Sequence, residues 1–256
     1  MWQRMAAGAP AAPLYVDPLY DGAADPTWVW NRELKQWWIF YSQRRANTDE
    51  PGVRWRHGTD IGIAASPDNG RTWKYLGVAQ GLSFEPGRRT WWAPEVLWAD
   101  GRYHMFVSYI PVMSDTWSGE AHILHYTSAD LLDWKFVGRA PLSSDRVIDS
   151  CLFHMPDGAW SMWYKDEAEA AHIWLATSLD LNEWKVVGRA EGSRVQEASN
   201  VFRLGGKYWM LTDHGGMSAY YSEDGKKWRE QGKLMQRSGI RPDDNWVAQH
   251  PDVVVL

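Results

Sequence analysis

Four stretches of this chain alternate apolar and polar residues: DIGIAAS from Asp60, HILHYTS from His122, HIWLATS from His172 and MSAYYS from Met217. A period of two turns one side-chain face toward a core and predicts half-buried β-strands. Each stretch runs into a Ser-x-Asp turn closed by tryptophan: SPDNGRTW from Ser66, SADLLDW from Ser128, SLDLNEW from Ser178 and SEDGKKW from Ser222. Ser and Asp side chains bond the backbone two residues on, which is the chemistry of a turn. Ahead of each alternating stretch sits an aromatic run: WWIFYS from Trp37, YHMFVSYI from Tyr103, WSMWYK from Trp160 and YWMLTD from Tyr208. Each aromatic run follows a turn (NRELK, ADGR, PDGA or LGGK), and each of those turns follows a short apolar run. The unit is therefore four strands, with almost no competing helical period. A β-sandwich could share a turn by chance. Three strand types and two turns recurring in all four copies instead predict an all-β propeller of four-stranded antiparallel blades. No linker or composition shift marks a second domain, so residues 1–256 read as one propeller, with 1–11 expected to be a disordered tail.

Just before the first, apolar strand of each unit stands a polar residue: Asp25, Glu95, Asp149, Glu197 and, in QHPDVVV, His250. Five such positions imply five blades whose innermost strands start around one central cavity. The chain ends six residues after His250, so the fifth blade is expected to be incomplete. The run APLYVDPLY could supply one closing strand. Carboxyl groups gathered in one cavity raise one another's pKa, and desolvation raises it further. Glycoside hydrolysis needs that situation: one carboxyl protonated as acid, another ionised as base or nucleophile.

Composition narrows the choice. A net charge of -5 gives no basic surplus for nucleic acid, and the single Cys151 excludes a disulfide framework or a Cys-rich zinc site. No apolar stretch approaches the roughly 18 residues of a membrane span. The N-terminus shows no apolar signal-peptide region, which favours a cytoplasmic over a secreted protein. The 19 tryptophans exceed ordinary core filling. Trp92, beside Glu95, is a candidate for stacking on a sugar ring. His57, Asp60, Lys165 and His214 are further candidates for substrate binding, and Tyr41 and His125 weaker ones.

With these residues in order, the chain resembles the five-bladed propeller glycoside hydrolases of family 43 and its relatives. The resemblance rests on Asp25 in ADP, WAPEV at 92–96, Asp149 in VIDS, Glu197 in QEAS and His250 in QHP. It implies a glycosidase acting by inversion on an oligosaccharide or glycoside. Asp25 would be the base, Glu197 the acid, and Asp149 the group that holds Glu197 and raises its pKa. It implies no required cofactor, with an axial structural cation such as calcium, or a water, near His250. Two departures stand out: Ala198-Ser199 follows Glu197 where Gly-Pro is usual, and Ser150 follows Asp149 where Pro is common. A sialidase would need an arginine cluster and a tyrosine nucleophile in blade phase, and the fructoside-cleaving relatives would want Asn-Asp-Pro, Arg-Asp-Pro and Glu-Cys. The remaining alternative is a non-catalytic propeller that binds carbohydrate or protein. The sequence leaves the sugar, the linkage and the oligomeric state open.

Overall fold

A computed structural model describes residues 12–191, 196–239 and 244–255; the expected N-terminal tail lies outside them. The strands form four antiparallel sheets, each of four strands in sequence order. Blade one is β1 (Ala23–Asn31), β2 (Gln36–Gln43), β3 (Asp60–Ser66) and β4 (Lys74–Val78). Blade two is β5 (Thr90–Ala99), β6 (Arg102–Ile110), β7 (His122–Ser128) and β8 (Lys135–Arg139). Blade three is β9 (Val147–His154), β10 (Trp160–Asp166), β11 (His172–Ser178) and β12 (Lys185–Glu191). Blade four is β13 (Glu197–Leu204), β14 (Lys207–Asp213), β15 (Met217–Ser222) and β16 (Arg229–Leu234). The first strands are innermost: β1 packs on β5, β5 on β9 and β9 on β13. The repeat read from the sequence is therefore a β-propeller.

The Ser-x-Asp turns form as their chemistry requires. Ser66, Ser128, Ser178 and Ser222 donate their hydroxyls to Asp68, Asp130, Asp180 and Asp224 at 2.9–3.0 Å. Each aspartate then accepts backbone N–H groups two to four residues on, such as those of Thr72 and Asp133. The tryptophans closing the last three turns lock one blade onto the one before it. Trp134 meets Phe40 of β2 edge-on at 5.8 Å, Trp184 meets Phe106 of β6 at 5.7 Å, and Trp228 meets Trp163 of β10 at 6.1 Å. Such pairs contribute about 0.5–1.5 kcal/mol each beyond the area they bury. Much of the tryptophan surplus is thus inter-blade packing.

Four complete blades are present, and the fifth is incomplete, as expected. Among the described residues, 244–255 form no strand, because no second strand lies beside them to complete a ladder. Polar contacts join blades one and four instead. Asp252 accepts the Trp28 N–H of β1 at 2.7 Å and the Asn200 amide of β13 at 2.8 Å. The segment around Tyr15 forms no closing strand either; the Tyr41 hydroxyl and the Gln43 side-chain amide of β2 both donate to Asp17. That contact spends the Tyr41 hydroxyl within blade one, and His125 is likewise buried against His104 at 2.9 Å.

Candidate active site

Every innermost strand is broken at the same point. Asp25, Ala93, Asp149 and Ala198 all have left-handed backbones, with φ of 51°, 46°, 57° and 48°. Each coincides with a shift in the ladder to the second strand, a β-bulge. His250, with φ 47°, repeats the conformation at the seam. A bulge inserts a residue, bends the strand and re-aims the side chain there. Here it turns the start of each inner strand toward a common cavity of about 790 Å³, ample for a sugar ligand.

The bulges explain which expected residues reach that cavity. Asp25 and Asp149 occupy bulge positions, Glu197 immediately precedes one, and all three line the cavity with His250. Glu95 stands two residues beyond Ala93 and does not line it. Its carboxyl turns into the propeller core, accepts the Leu152 N–H at 3.0 Å, and lies beside Asp252. The sequence expectation of Glu95 as a pocket residue is corrected by that two-residue offset. His57, Trp92 and Lys165 are in the cavity wall, whereas Asp60 and His214 are outside it. Asp60 opens β3 opposite Gln43, and His214 is exposed beyond the end of β14.

A second set of positions keeps step with the bulges. Ser42, Ser108, Lys165 and Asp213 each pair across the ladder with the residue just before the bulge. Ser42 and Ser108 use their hydroxyls to accept the N–H of Ala93 and Asp149 in the next blade, at 2.8 and 2.9 Å. Asp213 does the same for the His250 N–H at 3.1 Å. Lysine cannot accept a hydrogen bond. Lys165, nearly fully buried, instead holds Glu167 at 2.9 Å and Glu197 at 3.1 Å. These four residues close the tripeptides FYS, FVS, WYK and LTD within the four aromatic runs. Aligning those runs would have singled out Asp213, which sequence reasoning passed over.

The three carboxyl groups sit in different electrostatic surroundings. Burial alone would push Asp25 up, but the Arg44 and His250 charges and hydrogen bonds from Ser42 and Arg44 hold it below the ordinary range. Arg44 Nη2 bridges both Asp25 oxygens, at 3.0 and 2.8 Å, and His250 Nδ1 faces Oδ1 at 3.3 Å. Asp149 is pushed up to about 7, first by burial; His250 and Lys165 pull it down, while Glu197 and Asp25 push it further up. Glu197 is the accessible member, its side chain 48% exposed. Asp213 is also raised, chiefly by burial and then by Glu197. Lys165 is raised because Glu197, Asp149 and Glu167 outweigh its burial.

Aromatic groups complete the wall. His57 tilts against Trp92 with centroids 5.0 Å apart, and Trp92 meets Trp117 at 6.1 Å. Trp117 and Trp246 also line the cavity and are 52% and 68% exposed. Sequence reasoning missed both, as well as Arg44 and Arg56, because all four stand in segments outside the strand repeat.

Comparison with known proteins gives this geometry its family. Residues 59–238 match the family model described as glycosyl hydrolases family 43. The chain belongs to that family. As a family 43 member it is a glycoside hydrolase by class. Solved structures share the fold at low identity. A family 43 β-xylosidase/α-arabinofuranosidase from a compost microbial metagenome superimposes with TM-score 0.67 at 16% identity, over 89% of this chain and 81% of that one. A family 117 glycoside hydrolase from Zobellia galactanivorans gives 0.64 at 18%, over 82% and 69%. An endo-arabinase from Bacteroides thetaiotaomicron gives 0.62 at 16%, over 88% and 85%. No curated protein matches. The family match leaves Asp25 and His250 outside its span; only the fold brings them to Asp149 and Glu197.

One nitrogen of the His250 ring is already committed, which limits what it offers the axial cation or water expected there. Its Nδ1 faces Asp25, whose oxygens are both taken by Arg44. No group of three His, Cys, Asp or Glu side chains among the described residues has the geometry to hold a metal ion.

Proposed function

We propose that this family 43 protein hydrolyses a glycosidic bond with inversion, using Asp25 as base, Glu197 as acid and Asp149 as the residue that governs the acid's proton. The observation that carries this reading is the contrast between Asp25, held ionised by Arg44, and Asp149, raised to about 7, in one cavity with Glu197. Groups whose environments push their pKa values apart mark acid and base roles. Asp25 would take a proton from water as that water attacks the anomeric carbon. Glu197, the accessible carboxyl, would protonate the departing oxygen. Asp149, pushed up to about 7 first by burial, would keep a proton beside the acid near neutral pH. Inversion is favoured because both Asp25 oxygens are engaged by Arg44, which suits proton abstraction better than nucleophilic attack.

A panel of aryl glycosides, with the first-formed anomer read by proton NMR, tests the reading directly. Release of the anomer opposite to that of the substrate is expected. Retained configuration would overturn inversion, and no release from any glycoside would favour a binding protein. That second reading has one observation behind it: Lys165 Nζ engages Glu197 Oε1 at 3.1 Å. Arg44→Met supplies a separate check on the base. With the guanidinium gone, burial dominates at Asp25 and its pKa climbs. The acidic limb of the pH–rate profile should then move up by at least about one unit; an unmoved limb would remove Asp25 from the role.

A further inference from the structure

Arg56 ends the short 3-10 turn Arg54–Arg56 and lines the cavity. It is firmly placed. Its guanidinium carbon lies 4.5 Å from the ring centroids of both Trp55 and Trp117, and its carbonyl accepts the Trp92 indole N–H at 2.6 Å. Its neighbours are all engaged: Arg45 with Glu50, Arg54 with Asp115, and Arg88 with the Gly58 carbonyl. Unlike those neighbours, the Arg56 guanidinium has neither an ion pair nor a hydrogen bond among the described residues, and its Nε is buried without a partner. The Nε of Arg44, in the same cavity wall, is also buried and unpartnered. Burial and the nearby Arg44 charge hold Arg56 below the usual guanidinium range, with Asp25 opposing in part. A guanidinium nonetheless stays charged. The result is a rigid, partly desolvated cation beside another cation, with donors aimed at nothing. The other buried cation of the cavity, Lys165, is already neutralised by Glu167 and Glu197.

We propose that Arg56, assisted by the free Nε of Arg44, binds an anionic group on the sugar: a uronic acid carboxylate or a sulfate ester. This deepens the glycosidase reading and rests on it for the premise that the cavity takes a sugar. Both groups offer the oxygen pairs that a guanidinium fork grips through charge-assisted hydrogen bonds. The indoles of Trp92 and Trp117 beside Arg56 supply a face for the sugar ring.

Calorimetric titration of the whole chain with matched sugars tests the proposal. The probes are glucuronic acid and glucose 6-sulfate against glucose, and galacturonic acid and galactose 6-sulfate against galactose. At least one acidic sugar should bind about tenfold more tightly than its neutral match, a difference of about 1.4 kcal/mol. Preference for the uronic acid assigns a carboxylate, and preference for the sulfated sugar a sulfate ester. In Arg56→Gln the preference should vanish. In the unmodified chain it should shrink between about 50 and 500 mM NaCl, as a charge interaction must; this arm holds even if the variant folds poorly. Equal affinity for acidic and neutral sugars, no binding of the acidic ones, or a salt-independent preference would overturn the proposal. So would a preference that survives Arg56→Gln. Because the readout is binding, an inert chain that prefers acidic sugars would retire the hydrolase reading alone. A chain that cleaves neutral glycosides without preference would retire this one alone.

Discussion

Glu197→Gln should leave a folded propeller that still binds sugar but turns it over at least about a thousandfold more slowly, within the range that a general acid contributes. Gln keeps the shape and the hydrogen bond to Lys165 while removing the transferable proton. Binding and turnover must be measured separately, by titration and by aryl glycoside release. Unchanged turnover would remove Glu197 from the chemistry, and lost binding would make it a substrate ligand. The unmodified enzyme should also lose rate as pH rises through about 7. The reason is that Asp149, raised to about 7, loses its proton in that region. A profile flat from pH 6 to about 9 would contradict that role for Asp149.

Glu95→Gln should do the opposite of a typical core polar substitution and stabilise the protein, but only at alkaline pH. Burial and then the Asp252 charge push Glu95 up to about 8, despite hydrogen bonds from Leu152 and Thr27. The folded state thus binds this proton more tightly than the unfolded chain, whose carboxyl titrates at its ordinary value of 4.5. Stability from this group is complete below that ordinary value and falls as pH rises toward about 8. A shift of this size corresponds to an upper bound of about 5 kcal/mol; relaxation and water entry reduce it to a few. Gln carries no charge at any pH and can still accept the Leu152 N–H. At pH 8.5 the variant should melt about 5–10 °C higher, with little difference at pH 5. Equal shifts at both pH values, or a loss at pH 8.5, would show that Glu95 is not the costly charge.

Both predictions depend on carboxyl groups that looked alike in the sequence. Asp25, Glu95, Asp149 and Glu197 each precede an apolar strand, and that phase alone suggested one ring. The offset that separates Glu95 from the ring is a matter of bulge placement. Whether the left-handed residue is Ala93 or Glu95 follows from ladder register and from the Ser42 hydroxyl that captures the Ala93 N–H. Local sequence does not encode that choice, since the capturing group sits in another blade. Asp252 and Arg44 were unreadable for a related reason. Their partners, Trp28 with Asn200 and Asp25, come from distant segments or from a loop with no repeat to align.

The sequence by itself determined the blade. Period-two alternation, Ser-x-Asp turns and a tryptophan after each are local or nearest-neighbour signals, and side-chain geometry within a few residues dictates what they form. It also determined which carboxyl groups belong to the start of each inner strand, because the repeat carries them in fixed phase. Tertiary structure decided their chemistry. Only the arrangement of inner strands around one cavity buries Asp149, lays Arg44 across Asp25 and brings His250 near both, and desolvation and through-space charge set a carboxyl's protonation. The seam was decided there too. Asp252 ties blade one to blade four, where the sequence predicted the first strand of another blade. A β-strand exists only with a partner beside it, and a residue pattern can propose a strand without supplying that partner.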